Sequence, residues 1–129
     1  MAWPVVYYRA ADRSEPVNDA IDALAVKVQV AIDNQIERLG LFGPDHGFPS
    51  TSQIEGELRE LRCHFGGDHY RILYQRSKNM FVLLHFLAKH SAAVPAADIR
   101  IAKDRWDDFA SRMNERPRRP PRAAGHDAP

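Results

Sequence analysis

Positively charged and imidazole side chains recur within residues 58–90, a stretch dominated by strand-forming residues. Those that stand out are Arg62, Arg71, His85 and Lys89. Guanidinium and ammonium groups supply fixed positive charge, and the guanidinium fork matches the oxygens of a phosphate. Histidine is the side chain whose ordinary pKa suits proton transfer near neutral pH. Together these residue types suit binding of a phosphodiester and proton transfer on it.

Each of these residues also has an ordinary structural explanation. An arginine on a half-exposed strand usually covers the sheet and pairs with an acid such as Glu60. His85 lies inside the apolar run VLLHFLA, which favours a partly buried, hydrogen-bonded histidine over a catalyst. Taken singly, the residues favour the structural explanation, so a functional hypothesis depends on their combination.

Other chemistries find little support in the sequence. The six histidines show no metal-ligand spacing, and with one cysteine, Cys63, a structural zinc site is not expected. The chain has no nucleophile-elbow motif and no glycine-rich phosphate loop of either common form. We therefore expect no metal and no cofactor. The lone cysteine fits a reducing compartment, so a cytoplasmic location is expected.

Three strands are predicted to position the charged side chains, near residues 57–65, 69–76 and 80–88. The connections between them are of hairpin length, which makes neighbouring strands antiparallel. Because side chains alternate across a strand, the sheet should have two unlike faces. The face expected to be wholly apolar carries Leu61, Cys63, Phe65, Tyr70, Ile72, Tyr74, Val82, Leu84, Phe86 and Ala88. The other, mixed face carries the basic groups above a floor of Leu73, Leu83 and Leu87.

Helical segments are predicted on both sides of these strands. After an entry strand within residues 3–11, Ser14 is expected to act as the N-cap of a helix. Apolar residues then recur at helical spacing as far as Leu39, over a length of about 36 Å, so a break near Ala25 is expected. Residues 42–53 are expected to form a loop, and Pro95 to open a last helix.

The length of 129 residues suits one domain, which we place at residues 1–114. Residues 115–129 are rich in proline and arginine and are predicted to be disordered. This tail has a charge of +2, so the rest of the chain has about −1, and any nucleic-acid binding by the domain needs a local patch. No signal peptide and no membrane span are expected.

Three motifs in the predicted strands, together with their order along the chain, resemble the pattern of a known protein family. They are Glu60-Leu61-Arg62, Tyr70-Arg71-Ile72-Leu73-Tyr74, and Leu83-Leu84-His85 through Lys89, followed by Pro95 and a helix. With the upstream segments YYRAADRSEPVNDAIDAL and LGLFGP, they resemble the phage-derived HigB-type branch of the RelE/ParE toxin superfamily over about residues 5 to 112. Two departures are His90, where the family usually has a second lysine, and SAAV, where threonine and glutamine are common.

The resemblance implies an α+β fold, in which a helical hairpin packs on a small, mainly antiparallel sheet with a C-terminal helix. It implies the toxin of a type II toxin–antitoxin system, a ribosome-associated mRNA endonuclease that inhibits translation. The implied partners are a cognate helix-turn-helix antitoxin, the ribosome and mRNA. The residues proposed for catalysis are Arg62, Arg71, His85, Lys89 and His90. Those proposed to bind RNA are Arg59, His64 and Lys103.

Two other functions remain open at this point. ParE-like relatives share the fold but inhibit DNA gyrase by protein contact without catalysis, and a gyrase binder does not need the basic and imidazole groups. The second alternative is an inactive relative that only binds its antitoxin.

Overall fold

The structure, a computed structural model, describes residues 2–88, 93–114 and Ala124. The strands in this part are β1 (Val5–Tyr7), β2 (Thr51–Glu55), β3 (Leu58–Phe65), β4 (Asp68–Ser77) and β5 (Met80–Ala88). The helices are α1 (Pro16–Asp22), α2 (Val26–Phe42) and α3 (Ala96–Met113), with a short 3-10 turn at Gly43–Asp45.

The strands form one sheet in the order β1-β5-β4-β3-β2. β1 runs parallel to β5, and the other neighbours are antiparallel. The three predicted strands are confirmed as β3, β4 and β5, and so is the α+β class with a mainly antiparallel sheet and a C-terminal helix. The predicted loop at 42–53 is wrong at its end, where β2 begins and adds an edge strand.

The predicted break near Ala25 is confirmed, because α1 ends at Asp22 and α2 begins at Val26. Ala25 has extended backbone angles, and the Gln29 side chain donates to the Leu24 carbonyl (2.8 Å) in the connection and to the Asp22 carbonyl (3.2 Å), one of the groups that the end of α1 leaves open. The expected Ser14 N-cap is wrong. Glu15 precedes the helix instead, and the Ser14 hydroxyl donates to Asp12 Oδ1 (2.6 Å).

Each face of the sheet has a hydrophobic core of its own. The core on one face joins α1 and α2 to the sheet through Val17, Ile21, Ile32, Ile36, Leu39, Leu61, Ile72 and Leu83. The core on the other face joins α3 to the sheet through Leu73, Val82, Leu84, Leu87, Ala102 and Phe109. Tyr8 also holds α3, since its hydroxyl donates to Asp108 Oδ2 (2.5 Å). The mixed face is therefore not an open concavity throughout, because α3 covers part of it.

A β-bulge in β5 changes the predicted faces. Leu73 pairs with His85, but the next residue of β4, Tyr74, pairs with Leu83, so Leu84 is an extra residue in β5. Side-chain alternation reverses across it, which places Leu83 with α1 and α2, and Val82 and Leu84 with α3. The predicted faces were wrong for these residues and for Phe81, whereas His85 lies on the face predicted for it.

The predicted tail lies outside the described residues except for Ala124. The Ala124 N–H donates to the Val5 carbonyl (2.6 Å) in the edge strand β1. The domain boundary at 114 and the disorder of residues 115–129 stay predictions. None of the helices in the described part of the chain is long and apolar enough to cross a membrane.

Candidate functional site

Four polar residues on the α3 side of the sheet form what we call the arginine cluster: Ser52, Glu60, Arg62 and Arg71. Strand register brings them together, since Ser52 pairs with Glu60 across β2 and β3, and Arg62 pairs with Arg71 across β3 and β4. The Glu60 carboxylate lies at the centre. Its Oε2 accepts from Ser52 Oγ (2.6 Å) and Arg62 Nε (3.2 Å), and it forms an ion pair with Arg62 Nη2 (3.1 Å).

The two arginines of the cluster differ in their access to solvent. The Arg71 side chain is 11% exposed, and its Nε lies 3.4 Å from Glu60 Oε1, a distance that suits an ion pair better than a hydrogen bond. The Arg62 side chain is 37% exposed, and the Glu60 side chain only 3%. Two guanidinium groups against one carboxylate leave the cluster with one net positive charge. Arg62 is therefore the more accessible of the two cations, and Arg71 is the more deeply buried.

His85 lies on the same face but is held by α3. Its Nε2 is 2.7 Å from Asp98 Oδ1, and its Nδ1 is 3.2 Å from Arg105 Nη1. A guanidinium only donates, so Nδ1 must accept, and the proton of the neutral ring is on Nε2 and is donated to Asp98. Arg105 also donates to the Leu84 carbonyl (2.9 Å), and burial lowers its pKa from the ordinary value. Both ring nitrogens thus anchor α3 to β5.

The other residues proposed from the sequence do not all join the cluster. Arg59 donates to Tyr74 Oη (3.4 Å) and Thr51 Oγ1 (3.0 Å), so it lies on the α1/α2 side of the sheet. Lys103 is an exposed residue of α3 and forms an ion pair with Glu55 at the end of β2. His64 is on the cluster's face by alternation, near the hairpin end of β3, and its ring centroid lies 6.1 Å from that of His69. Lys89 and His90 lie outside the described residues.

Sequence reasoning missed some of the residues that define this surface. Ser52 was placed in a loop, and its role depends on the unpredicted strand β2. Asp98 and Arg105 were not singled out, although their separation of seven residues puts them on one side of α3. Glu60 was foreseen only as an acid that an arginine would pair with. Among the described residues, no group of three or more histidine, cysteine, aspartate or glutamate side chains is arranged to hold a metal ion.

A helical pair and a C-terminal helix around a mainly antiparallel sheet, with paired arginines on one face, define a RelE-like protein. The chain belongs to the family described as Phage derived protein Gp49-like, whose model matches residues 19–107, from within α1 to within α3. This is a family of RelE/HigB-type toxins, and membership therefore implies an antitoxin as a partner. The comparison with curated proteins finds no match for this chain.

Proposed function

We propose that this protein is the toxin of a type II toxin–antitoxin pair, and that it cleaves mRNA on the ribosome. The arginine cluster carries the proposal, because Arg62 and Arg71 lie directly opposite each other on one face and keep a net positive charge. A half-exposed guanidinium with a second one behind it suits a phosphodiester. The chain's membership in a toxin family supports a cognate partner, which we propose to be a helix-turn-helix antitoxin.

The proposed reaction uses RNA's own 2′-hydroxyl as the nucleophile. The 2′-oxygen bonds to the adjacent phosphorus, the bond from phosphorus to the 5′-oxygen breaks, and the products carry a 2′,3′-cyclic phosphate and a 5′-hydroxyl. One proton leaves the 2′-oxygen and one reaches the 5′-oxygen. The proposed role of Arg62 is to bind the phosphate and stabilise the extra negative charge of the phosphorane, with Arg71 adding to the positive potential.

The proton-transfer group is not Arg62 or Arg71, because an arginine keeps its proton in proteins. His85 accepts a proton at Nδ1 only after it releases Arg105. We keep His90 as the second candidate for this role and Lys89 as a further phosphate contact, on the sequence resemblance alone. His64 and Lys103 remain proposed RNA contacts at the margins of the face, whereas the position of Arg59 removes the reason to include it.

Cleavage of a reporter mRNA on translating ribosomes tests the proposal. Arg62→Ala should lower the cleavage rate by about 10²–10³, as expected for loss of a charge donor that faces the transition state. The melting temperature should change little, because Arg62 is half-exposed. Arg76→Ala is the matched control, since Arg76 is an exposed arginine of β4 that packs over Trp3 on the opposite face. Its cleavage rate should equal that of the wild type.

Arg71→Ala requires a different control, because Arg71 is mostly buried against Glu60. The substitution leaves the buried Glu60 without one of its two cations and should destabilise the fold, so its cleavage rate must be read beside a thermal melt. If the wild-type protein leaves mRNA intact on translating ribosomes but still arrests growth, the nuclease proposal is wrong. A DNA supercoiling assay with gyrase then tests the ParE-like alternative.

A further inference from the structure

An exposed aromatic ring lies beside the arginine cluster. Phe48 has 77% of its surface exposed, although a phenylalanine gains free energy when it is buried. Single exposed apolar residues are common on proteins, so exposure alone assigns no function. What sets Phe48 apart is its neighbour, because the Arg62 guanidinium carbon lies 5.4 Å from the centroid of the Phe48 ring.

The loop that carries Phe48 is tied down on both sides. The Thr51 N–H donates to the Gly47 carbonyl (3.1 Å), and the Thr51 hydroxyl donates to the His46 carbonyl. Thr51 is itself fully buried at the start of β2. The main chain of Arg62 donates its N–H to the Ser50 carbonyl (2.8 Å). These hydrogen bonds hold the loop that carries the ring. One of them comes from Arg62, which also belongs to the arginine cluster.

We propose that Phe48 is a stacking site for an unpaired RNA base, next to the phosphate that Arg62 binds. An aromatic face for a base and a cation for the adjoining phosphate are the two parts from which single-strand RNA sites are built. This inference rests on the proposed function, since it takes the bound strand to be mRNA.

The surroundings favour an RNA base over a protein partner as the occupant. The cluster beside the ring has one net positive charge, which attracts a polyanion. The polar contacts beside the ring also suit RNA, since the Arg62 guanidinium that lies by Phe48 also donates to the Ser52 hydroxyl (3.4 Å). The exposed Phe48 ring offers a surface on which a base can stack, and Arg62 beside it offers a cation to the adjoining phosphate.

Binding of a short, dye-labelled single-stranded RNA, followed by fluorescence anisotropy at low salt, tests the inference. Phe48→Ala should weaken binding by about 5- to 150-fold, the usual loss when an aromatic stacking partner is removed. Phe48→Trp should retain the affinity. Phe65→Ala is the control, since Phe65 is 41% exposed and lies by alternation on the other face of β3. It should bind as the wild type does.

An oligomer of the same length with abasic positions separates stacking from charge. Phe48→Ala should have almost no effect on binding of this oligomer, which keeps the phosphates and lacks the bases. Equal losses on both oligomers, or no loss on either, overturn the stacking site. An effect confined to antitoxin binding overturns it too, because the ring would then be a protein contact.

The two proposals fail in different ways. If the wild type cleaves mRNA and Phe48→Ala binds both oligomers normally, only the stacking site is wrong. If the wild type binds RNA through Phe48 and cleaves nothing on ribosomes, only the nuclease reaction is wrong. If the wild type binds no RNA and also cleaves no mRNA on ribosomes, both are wrong.

Discussion

Replacing Glu60 by glutamine should weaken the fold and strengthen RNA binding at the same time. The substitution keeps the shape of the side chain and an oxygen that accepts from Ser52, but it removes the charge between Arg62 and Arg71. The two guanidinium groups then face each other across β3 and β4 without their shared anion. The same loss raises the net charge of the cluster from one to two positive units.

The cost to stability follows from how deeply each ion pair is buried. Removing one partner of a buried pair costs about 3–5 kcal/mol, and the Arg71 pair is buried on both sides. The 3.4 Å separation is long, so we take the lower end, about 3 kcal/mol. The Arg62 side chain is more than one-third exposed, so its ion pair with Glu60 adds roughly 0–1 kcal/mol. The total loss should be about 3–4 kcal/mol.

The gain in RNA binding follows from the added charge. A unit charge about 6 Å from a phosphate, at an effective dielectric constant of about 40, contributes about 1.4 kcal/mol. That energy corresponds to roughly tenfold tighter binding at low salt, and it should shrink as salt is added.

Urea unfolding gives the stability, and anisotropy with a single-stranded RNA gives the affinity. The double variant Glu60→Gln with Arg71→Met should lose less stability than the sum of the single changes, since both charges of the buried pair are then removed together and only the half-exposed Arg62 loses its partner. An unchanged urea midpoint for Glu60→Gln would refute the buried ion pair. Weaker RNA binding by a folded Glu60→Gln protein would refute the role of the cluster as a phosphate site.

Three further predictions concern the core and the pH response. Leu84→Ala should lower the free energy of unfolding by about 2–5 kcal/mol in urea, since Leu84 is fully buried under α3, and an unchanged midpoint would contradict that burial. Burial raises the pKa of Cys63 to about 12, so the thiol should resist iodoacetamide at pH 8 until urea unfolds the chain. Burial, with a smaller effect of Arg38, lowers the pKa of His46 below 6.5. The unfolded chain therefore binds the proton first, and stability should fall as pH drops below about 6.5. Between pH 7.5 and pH 5.5, the urea midpoint should fall less for His46→Gln than for the wild type.

The local parts of the fold could be predicted from the sequence. The strands at β3, β4 and β5 have β-branched and aromatic residues bounded by short polar turns, and these signals act over a few residues. The bulge at Leu84 could not be predicted in this way. Nothing in VLLHFLA distinguishes a bulge from a regular strand, because the extra residue is defined by pairing with β4. One residue of error reversed the faces of every residue before it in β5.

The candidate site was predictable in its residue types and not in its contacts. Arg62 and Arg71 followed from alternation in two neighbouring strands joined by a short turn. Asp98 reaches His85 only because α3 crosses back over β5, a tertiary contact that no local pattern contains. Phe48 was hidden for a related reason. Its loop contains glycine, proline and serine, and the sequence does not show which strand residue the loop returns to.

The contacts of His85 with Asp98 and Arg105 bear on which residues of this face can take part in catalysis. A general base needs a free nitrogen lone pair, and the lone pair on Nδ1 is already used by Arg105. The other nitrogen donates to Asp98, which holds the ring in place. In the described arrangement His85 therefore holds α3 in position, and α3 covers part of this face of the sheet. The proposed mechanism therefore assigns phosphate binding to Arg62, whose side chain is 37% exposed and adjoins the Phe48 ring. For His85 to serve as the base, its contacts with Asp98 and Arg105 of α3 must first break. Movement of α3 would then precede the chemical step.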